Sequence, residues 1–378
     1  MHVTTLQSEL VSFTRALVEH ESPTDVPASQ RGVQDLIADA LESLDVAVER
    51  LPGQQTGGQL YGRARWGGGP GAQLLVGHSD TVWPLGTLAS MPVELDRGVL
   101  RGPGVFDMKA GLAQLVFALR TLVELGLEPP AVPVVLVNSD EEMGSFESRP
   151  LVHRLARAAA RTYVLEPSYG PEGYLKTARK GVGQFRVTIR GRSAHAGLEP
   201  ETGASAILEL ANVIHALHAL NDRERGITVN VGVVDGGVRP NVVAPVSRAQ
   251  VDVRVLASAD ARMVTERILA LSARTPGVSL EIEGTVDTPP LERTPRNRRL
   301  FDEARRAGAE LGLELGEATV GGASDGNVTS LHSATLDGLG AVGGGAHASH
   351  EHVRVEGVVA RCALLARLLL IPVEERPD

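Results

Sequence analysis

A chain of 378 residues with 43% hydrophobic and 22% charged side chains has room for two domains with separate cores. Its formal charge of -9 argues against nucleic acid or anionic membrane as the main partner, yet leaves room for an anionic small substrate, because one pocket arginine outweighs a mildly acidic surface. The single cysteine, Cys362, excludes an internal disulfide and reads as a small core residue of the apolar run 358–370.

Residues 1–21 lack the basic start, apolar centre and cleavage site of a signal peptide; Leu6, Leu10, Phe13 and Leu17 recur at helical spacing and predict an amphipathic helix. No apolar stretch is long enough to span a bilayer, so a cytoplasmic protein is expected. Leu74-Leu75-Val76 predicts a strand running into Gly77-His78-Ser79-Asp80. Residues 108–126 predict a helix with Leu112, Leu115, Val116 and Leu119 on one face and Gly126 at its end. The apolar run 132–137 leads to Ser139-Asp140-Glu141-Glu142-Met143-Gly144, and Tyr163-Val164-Leu165 leads to Glu166-Pro167-Ser168. Apolar runs followed by helices predict an α/β domain with a mostly parallel sheet flanked by helices. Such sheets bind ligands beyond the carboxyl ends of their strands, where His78, Glu141, Glu142 and Glu166 fall.

The middle of the chain follows another pattern. Residues 184–189 and 250–255 alternate polar and apolar, as half-buried strands do, and strands at 228–234 and 278–283 join helices at 204–220 and 260–273. The β-α-β-β-α-β order predicts an inserted, ferredoxin-like α+β domain. Boundaries near Arg179 and at Thr288-Pro289-Pro290 divide the chain into 1–178 with 290–378, and the insert 179–289. Helical spacing at 298–311 and a Gly-rich segment at 321–345 return to the α/β pattern.

Adjacent residues at a strand end point in different directions. One of Glu141 and Glu142 can therefore bind a metal while the other faces substrate as a general base, although a Glu pair alone is usually a solvated loop. His78 and Asp80 share a face, so Asp80 can accept the ring N–H that His78 does not use on a metal; alone, the pair also reads as a buried histidine satisfied by an acid. Asp107, just before a helix, is either an N-cap or a carboxylate bridging two cations, with glycines that allow close approach. Glu166 by itself is an ordinary surface glutamate. His347, His350 and His352 make a histidine-rich loop that does not by itself say which one binds.

Taken in order, His-x-Asp, a Gly-rich Asp107-Met108-Lys109 segment, Glu-Glu, Glu-Pro and a late His-x3-Glu-x-Val resemble the dizinc aminoacylase/carboxypeptidase family over nearly the whole chain. That family includes carboxypeptidase G, acetylornithine deacetylase and succinyl-diaminopimelate desuccinylase. The resemblance implies two Zn2+ per subunit. His78, Asp107 and Glu166 would hold one and Asp107, Glu142 and His347 the other, with Asp107 bridging. It implies that Glu141 is the general base and acid, that Asp80 orients His78, and that the Asp107–Met108 peptide is cis. His347 is taken over His350 because the family's histidine stands four or five residues before the Glu of Glu-x-Val, here Glu351 and Val353. Nitrogen and oxygen donors without thiolate suit zinc, and cobalt or manganese fit as substitutes.

Gly191-Arg192-Ser193-Ala194-His195-Ala196-Gly197 is similar to the family's histidine-alanine-glycine element. This implies that the insert pairs two chains into a homodimer and that His195 donates to the oxyanion in the partner's site. The segments 239–243 and 252–254 imply that Asn241 and Arg254 bind the substrate's terminal carboxylate, guanidinium fork to carboxylate. Residues 321–327 resemble a loop lining the pocket, or else form a flexible turn. The segments 178–183 and 343–347 look most like the glutamate carboxypeptidase branch. The expected reaction is zinc-dependent amide hydrolysis releasing a C-terminal amino acid, glutamate first, from N-acyl or peptidyl, folate-like substrates. A small-molecule deacylase of the acetylornithine deacetylase type would use the same catalytic residues. A metal-free binding protein on the same scaffold would not need Glu141 and five ligands together.

Overall fold

Strand Ala72–His78 is buried along its whole length, and this decides the architecture of the first unit. A strand with no polar face must be covered on both sides. In the computed structural model, which describes residues 2–69 and 71–373, it lies between Val132–Asn138 and Ala159–Val164, parallel to both. The full six-stranded sheet runs Val46–Leu51, Gln59–Ala64, Val132–Asn138, Ala72–His78, Ala159–Val164, Ala334–Leu336, with antiparallel pairing confined to the first two. Alternate side chains feed two different cores. Leu75, Val135 and Val137 pack with helices Gln7–Glu19, Gln30–Glu42, Ala110–Glu124 and Val355–Leu369, while Leu74, Val76, Val134 and Leu136 pack with Leu151 and Val152 of helix Arg149–Ala158. Each such leucine or valine contributes about 1.5–3 kcal/mol by leaving water. Cys362 is fully buried in Val355–Leu369.

Two local departures from the sequence periodicity matter. The first helix breaks around Leu6 into His2–Thr5 and Gln7–Glu19, with Leu6 itself buried. The helix expected from 108 begins at Ala110, because Asp107 and Met108 have non-helical φ/ψ and their shared peptide bond is cis. Among the described residues no helix is long and apolar enough to cross a membrane.

The second unit comprises Ala178–Glu292 together with Val320–Ala323. Its four-stranded antiparallel sheet runs Thr228–Gly236, Val246–Val255, Gly181–Arg190, Ser279–Thr288. Phe185, Val187 and Ile189 point into a core shared with helices Ala206–His218 and Ser258–Leu269, and their neighbours Gln184 and Arg186 point outward. Residues 320–323, which the sequence analysis left outside the insert, join it through the Lys180 N–H donating to the Val320 carbonyl at 3.0 Å. Four residues carry no periodicity that could have announced this.

Candidate metal centre

His78 is the last residue of the central strand and is buried. Its Nδ1 stands 3.0 Å from the Asp80 carbonyl oxygen and 3.4 Å from Asp80 Oδ1. With its proton on Nδ1, the ring turns the Nε2 lone pair towards Asp107 Oδ1 at 3.2 Å and Glu166 Oε1 at 3.5 Å. The nearer partner of the ring is thus the Asp80 backbone carbonyl, and the Asp80 carboxylate has donors of its own. It accepts from Thr24 Oγ1 at 2.8 Å and from the backbone N–H of Glu141 at 3.3 Å and Glu142 at 3.1 Å. One buried acid thus couples the turn after His78 to the turn that carries both glutamates.

Asp107 is the hinge of the centre. Its Oδ1 faces His78, and its Oδ2 lies 3.5 Å from His347 Nε2, which is 3.2 Å from Glu142 Oε2. Two groups result, His78–Asp107–Glu166 and Asp107–Glu142–His347, each with its ligand atoms within 4.8 Å of one another. Glu166 also has Lys176 Nζ at 3.7 Å. His347 has a left-handed backbone (φ 59), which lets its ring turn back from a glycine-rich stretch.

The electrostatics carry the mark of crowded acids. Hydrogen bonds to Asp107 and Glu142 push His347 up to about 10. Burial works against ionisation of Asp107, but hydrogen bonds from His347 and His78 hold its carboxyl well below the usual range. Burial pushes the Glu141 carboxyl up, and the Glu166 charge adds to it.

Glu142 Oε1 is buried with no hydrogen-bond donor among the described residues. An orphaned carboxylate oxygen beside two clusters that share one aspartate fits a pair of divalent cations, and an all nitrogen and oxygen donor set suits zinc. His78, Asp107 and Glu166 would hold one, and Asp107, Glu142 and His347 the other. Bound there, the cations would polarise an amide carbonyl and lower the pKa of water.

Glu351 escaped the sequence analysis except as a marker for counting back to His347. It is fully buried, and its carboxylate accepts the backbone N–H groups of Gly104 at 2.9 Å, Phe106 at 2.8 Å and Asp107 at 3.0 Å, with Trp83 Nε1 at 2.7 Å. A glycine-flanked turn entering a helix has exposed N–H groups that need an acceptor, and that was the available signal.

The remaining expected residues belong to the second unit. His195 is exposed, and its Nδ1 accepts from the Gly197 N–H at 3.2 Å. The Ala196 N–H donates to the Asn241 carbonyl at 3.0 Å, so those two segments lie side by side. Arg254 Nε and Nη2 donate to the Asp252 carboxylate at 2.9 and 3.0 Å. In 321–327, Ser324 caps helix Asp325–Thr329 and Asp325 is buried, while Gly321 and Gly322 are exposed.

Residues 74–371 match the model of peptidase family M20/M25/M40, a span that includes every candidate ligand. The chain belongs to that family. This M20 hydrolase is 27% identical to carboxypeptidase G2 of Pseudomonas sp. (strain RS-16) over 373 residues, covering 96% of this chain and 89% of that protein. Among solved structures it superposes on aminopeptidase PepT of Bacillus cereus with a TM-score of 0.82 at 24% identity, covering 96% of this chain and 98% of that one. The YXEP protein of Bacillus subtilis, described as a dinuclear metal-binding peptidase of the M20 family, superposes with a TM-score of 0.71 at 14% identity, covering 97% and 98%. The M20 chain is carboxypeptidase-like in sequence, and these two superpositions establish its α/β fold with the inserted α+β domain.

Proposed function

We propose that this M20 hydrolase is a dizinc carboxypeptidase that releases a C-terminal amino acid, glutamate first, from N-acyl or short peptidyl substrates. The observation that carries the reading is Asp107 shared between two ligand groups, with Glu141 next to the ligand Glu142 and outside both groups. Glu141 takes a proton from the attacking water and hands it to the leaving nitrogen; burial pushes its carboxyl up, which favours its holding that proton between the two steps. Likeness to carboxypeptidase G2 over 96% of the chain supports the carboxypeptidase assignment. Asn241 and Arg254 receive the substrate's free carboxylate.

The reading includes a homodimer formed through the insert, in which His195 serves the neighbouring subunit's carbonyl oxygen. Strand Thr228–Gly236 lies at the edge of its sheet and exposes Val233 and Val234, which supports pairing along that edge. We assign the protein to the cytoplasm. The test is a panel of N-acylglutamates, N-acetylornithine and short peptides, hydrolysed by zinc-loaded protein. Release of glutamate should dominate. Faster turnover of N-acetylornithine would overturn the carboxypeptidase reading.

A further inference from the structure

The turn carrying Glu141 and Glu142 is held locally by Asp140, whose Oδ2 accepts the N–H groups of Glu147 at 2.8 Å and Ser148 at 3.0 Å, and from further away by Asp325. The turn leaves strand Val132–Asn138, passes through the single helical turn Glu141–Met143 and reverses at Gly144 and Ser145, both left-handed (φ 90 and 53). A serine rarely adopts that conformation unless neighbouring bonds hold it there. Within the turn, the Gly144 N–H donates to Glu141 and the Ser145 N–H to the Asp140 carbonyl, both at 2.7 Å. Neither bond fixes where the turn sits against the sheet.

Asp325 grips the turn at both ends. It lies 180 and 187 residues further along the chain and is buried, at 3% exposure. Its Oδ1 accepts from the Ser145 hydroxyl at 2.6 Å, and its Oδ2 from Asn138 Nδ2 at 2.7 Å. Asn138 passes the restraint on, since the same Nδ2 donates to Ser148 Oγ at 3.1 Å, at the start of the next helix. Asp325 is itself held by the helix that Ser324 caps, and Ser324 Oγ donates to the buried Asp337 at 2.6 Å.

We propose that Asp325 is a positioning residue for the hydrolytic reaction, clamping Asn138 and Ser145 so that Glu141 keeps its place beside the ligand groups. Asp80 fixes the same turn through the Glu141 and Glu142 N–H groups, so the two acids act on one segment from separate attachment points. The inference rests on the reading of Glu141 as the proton-transferring group. A displacement of about 1 Å at such a group costs on the order of 100-fold in rate without any loss of substrate contacts.

The experiment compares Asp325→Ala, Ser145→Ala and the exchange Asn138→Asp with Asp325→Asn, using Glu141→Gln as reference. Metal content, thermal midpoint, kcat and KM are measured on zinc-loaded protein with an N-acylglutamate. Asp325→Ala and Ser145→Ala should lower kcat about 10- to 100-fold with KM and metal content near wild type. The exchange reverses donor and acceptor across the pair and should restore kcat. An unimpaired kcat in Ser145→Ala, which removes one hydroxyl and has little reason to unfold, would overturn the inference. So would a loss in Asp325→Ala that follows metal content and that the exchange does not recover. An inactive Glu141→Gln beside a fully active Asp325→Ala would overturn this inference alone, whereas an active Glu141→Gln would overturn the base assignment and the inference with it.

Discussion

Glu351 Oε1 receives the backbone N–H of Asp107 at 3.0 Å, tying the carboxylate common to both ligand groups to the segment that carries His347. An amide in its place turns an NH2 group towards N–H donors, such as those of Gly104 and Trp83 that the second carboxylate oxygen accepts, and so disturbs the turn that carries Asp107. Glu351→Gln should therefore lower metal affinity about 10- to 100-fold while leaving the chain folded. Metal retained per chain after dialysis against graded chelator is the readout. Retention equal to wild type would show that Asp107 holds its place unaided.

Glu141→Ala should behave in the opposite way. Glu141 lies in neither ligand group, so metal content should stay near wild type while turnover falls about 100- to 10,000-fold. Metal lost in step with activity would make Glu141 a ligand.

Burial pushes the Asp325 carboxyl up to about 6 from an ordinary 3.8. A carboxyl raised in the folded state binds its proton more tightly there than in the unfolded chain. Its contribution to stability is complete below the unfolded value and is lost as pH rises through the folded one. Asp325→Asn has no such proton to lose. The unfolding free energy of the variant, measured by denaturant titration, should gain on that of wild type between about pH 4 and about pH 6, by up to about 3 kcal/mol. A gap that does not change with pH would show that burial leaves Asp325 ionised throughout.

Arg254→Ala should raise KM for substrates with a free α-carboxylate and do little to their amidated analogues. Losing a charge-assisted pair in a pocket costs about 2–5 kcal/mol, so the two substrate classes should separate widely. Equal losses on both would reduce Arg254 to the strand partner of Asp252.

Co-expression of Glu141→Ala and His195→Ala chains tests the shared site. In a mixed dimer the His195→Ala chain keeps its own Glu141 and can borrow the partner's His195, so activity should return from two inactive proteins. Verified mixed dimers without activity would rule out a site completed across subunits.

Several candidate site residues were legible in the sequence because each stands at a local landmark. His78, Glu141, Glu142 and Glu166 follow apolar runs, and the strands that carry them end where those runs end. The alternation in 184–189 and 250–255 likewise announced the insert's sheet, since a strand with one wet face records its period in sequence. His347 could be separated from His350 and His352 only through the family resemblance, because three nearby histidines look alike in sequence.

Tertiary structure alone decided what those residues do for one another. The two oxygens of Asp107 face different histidines, and the backbone N–H of Asp107 is held by Glu351, which is 244 residues away. That Asp325 closes the Glu141–Glu142 turn depends on a contact spanning 187 residues. Periodicity registers burial along a single element, so it can report that a strand ends in an acid. A hydrogen bond between distant segments leaves no period in either of them, and only folding brings its donor to its acceptor.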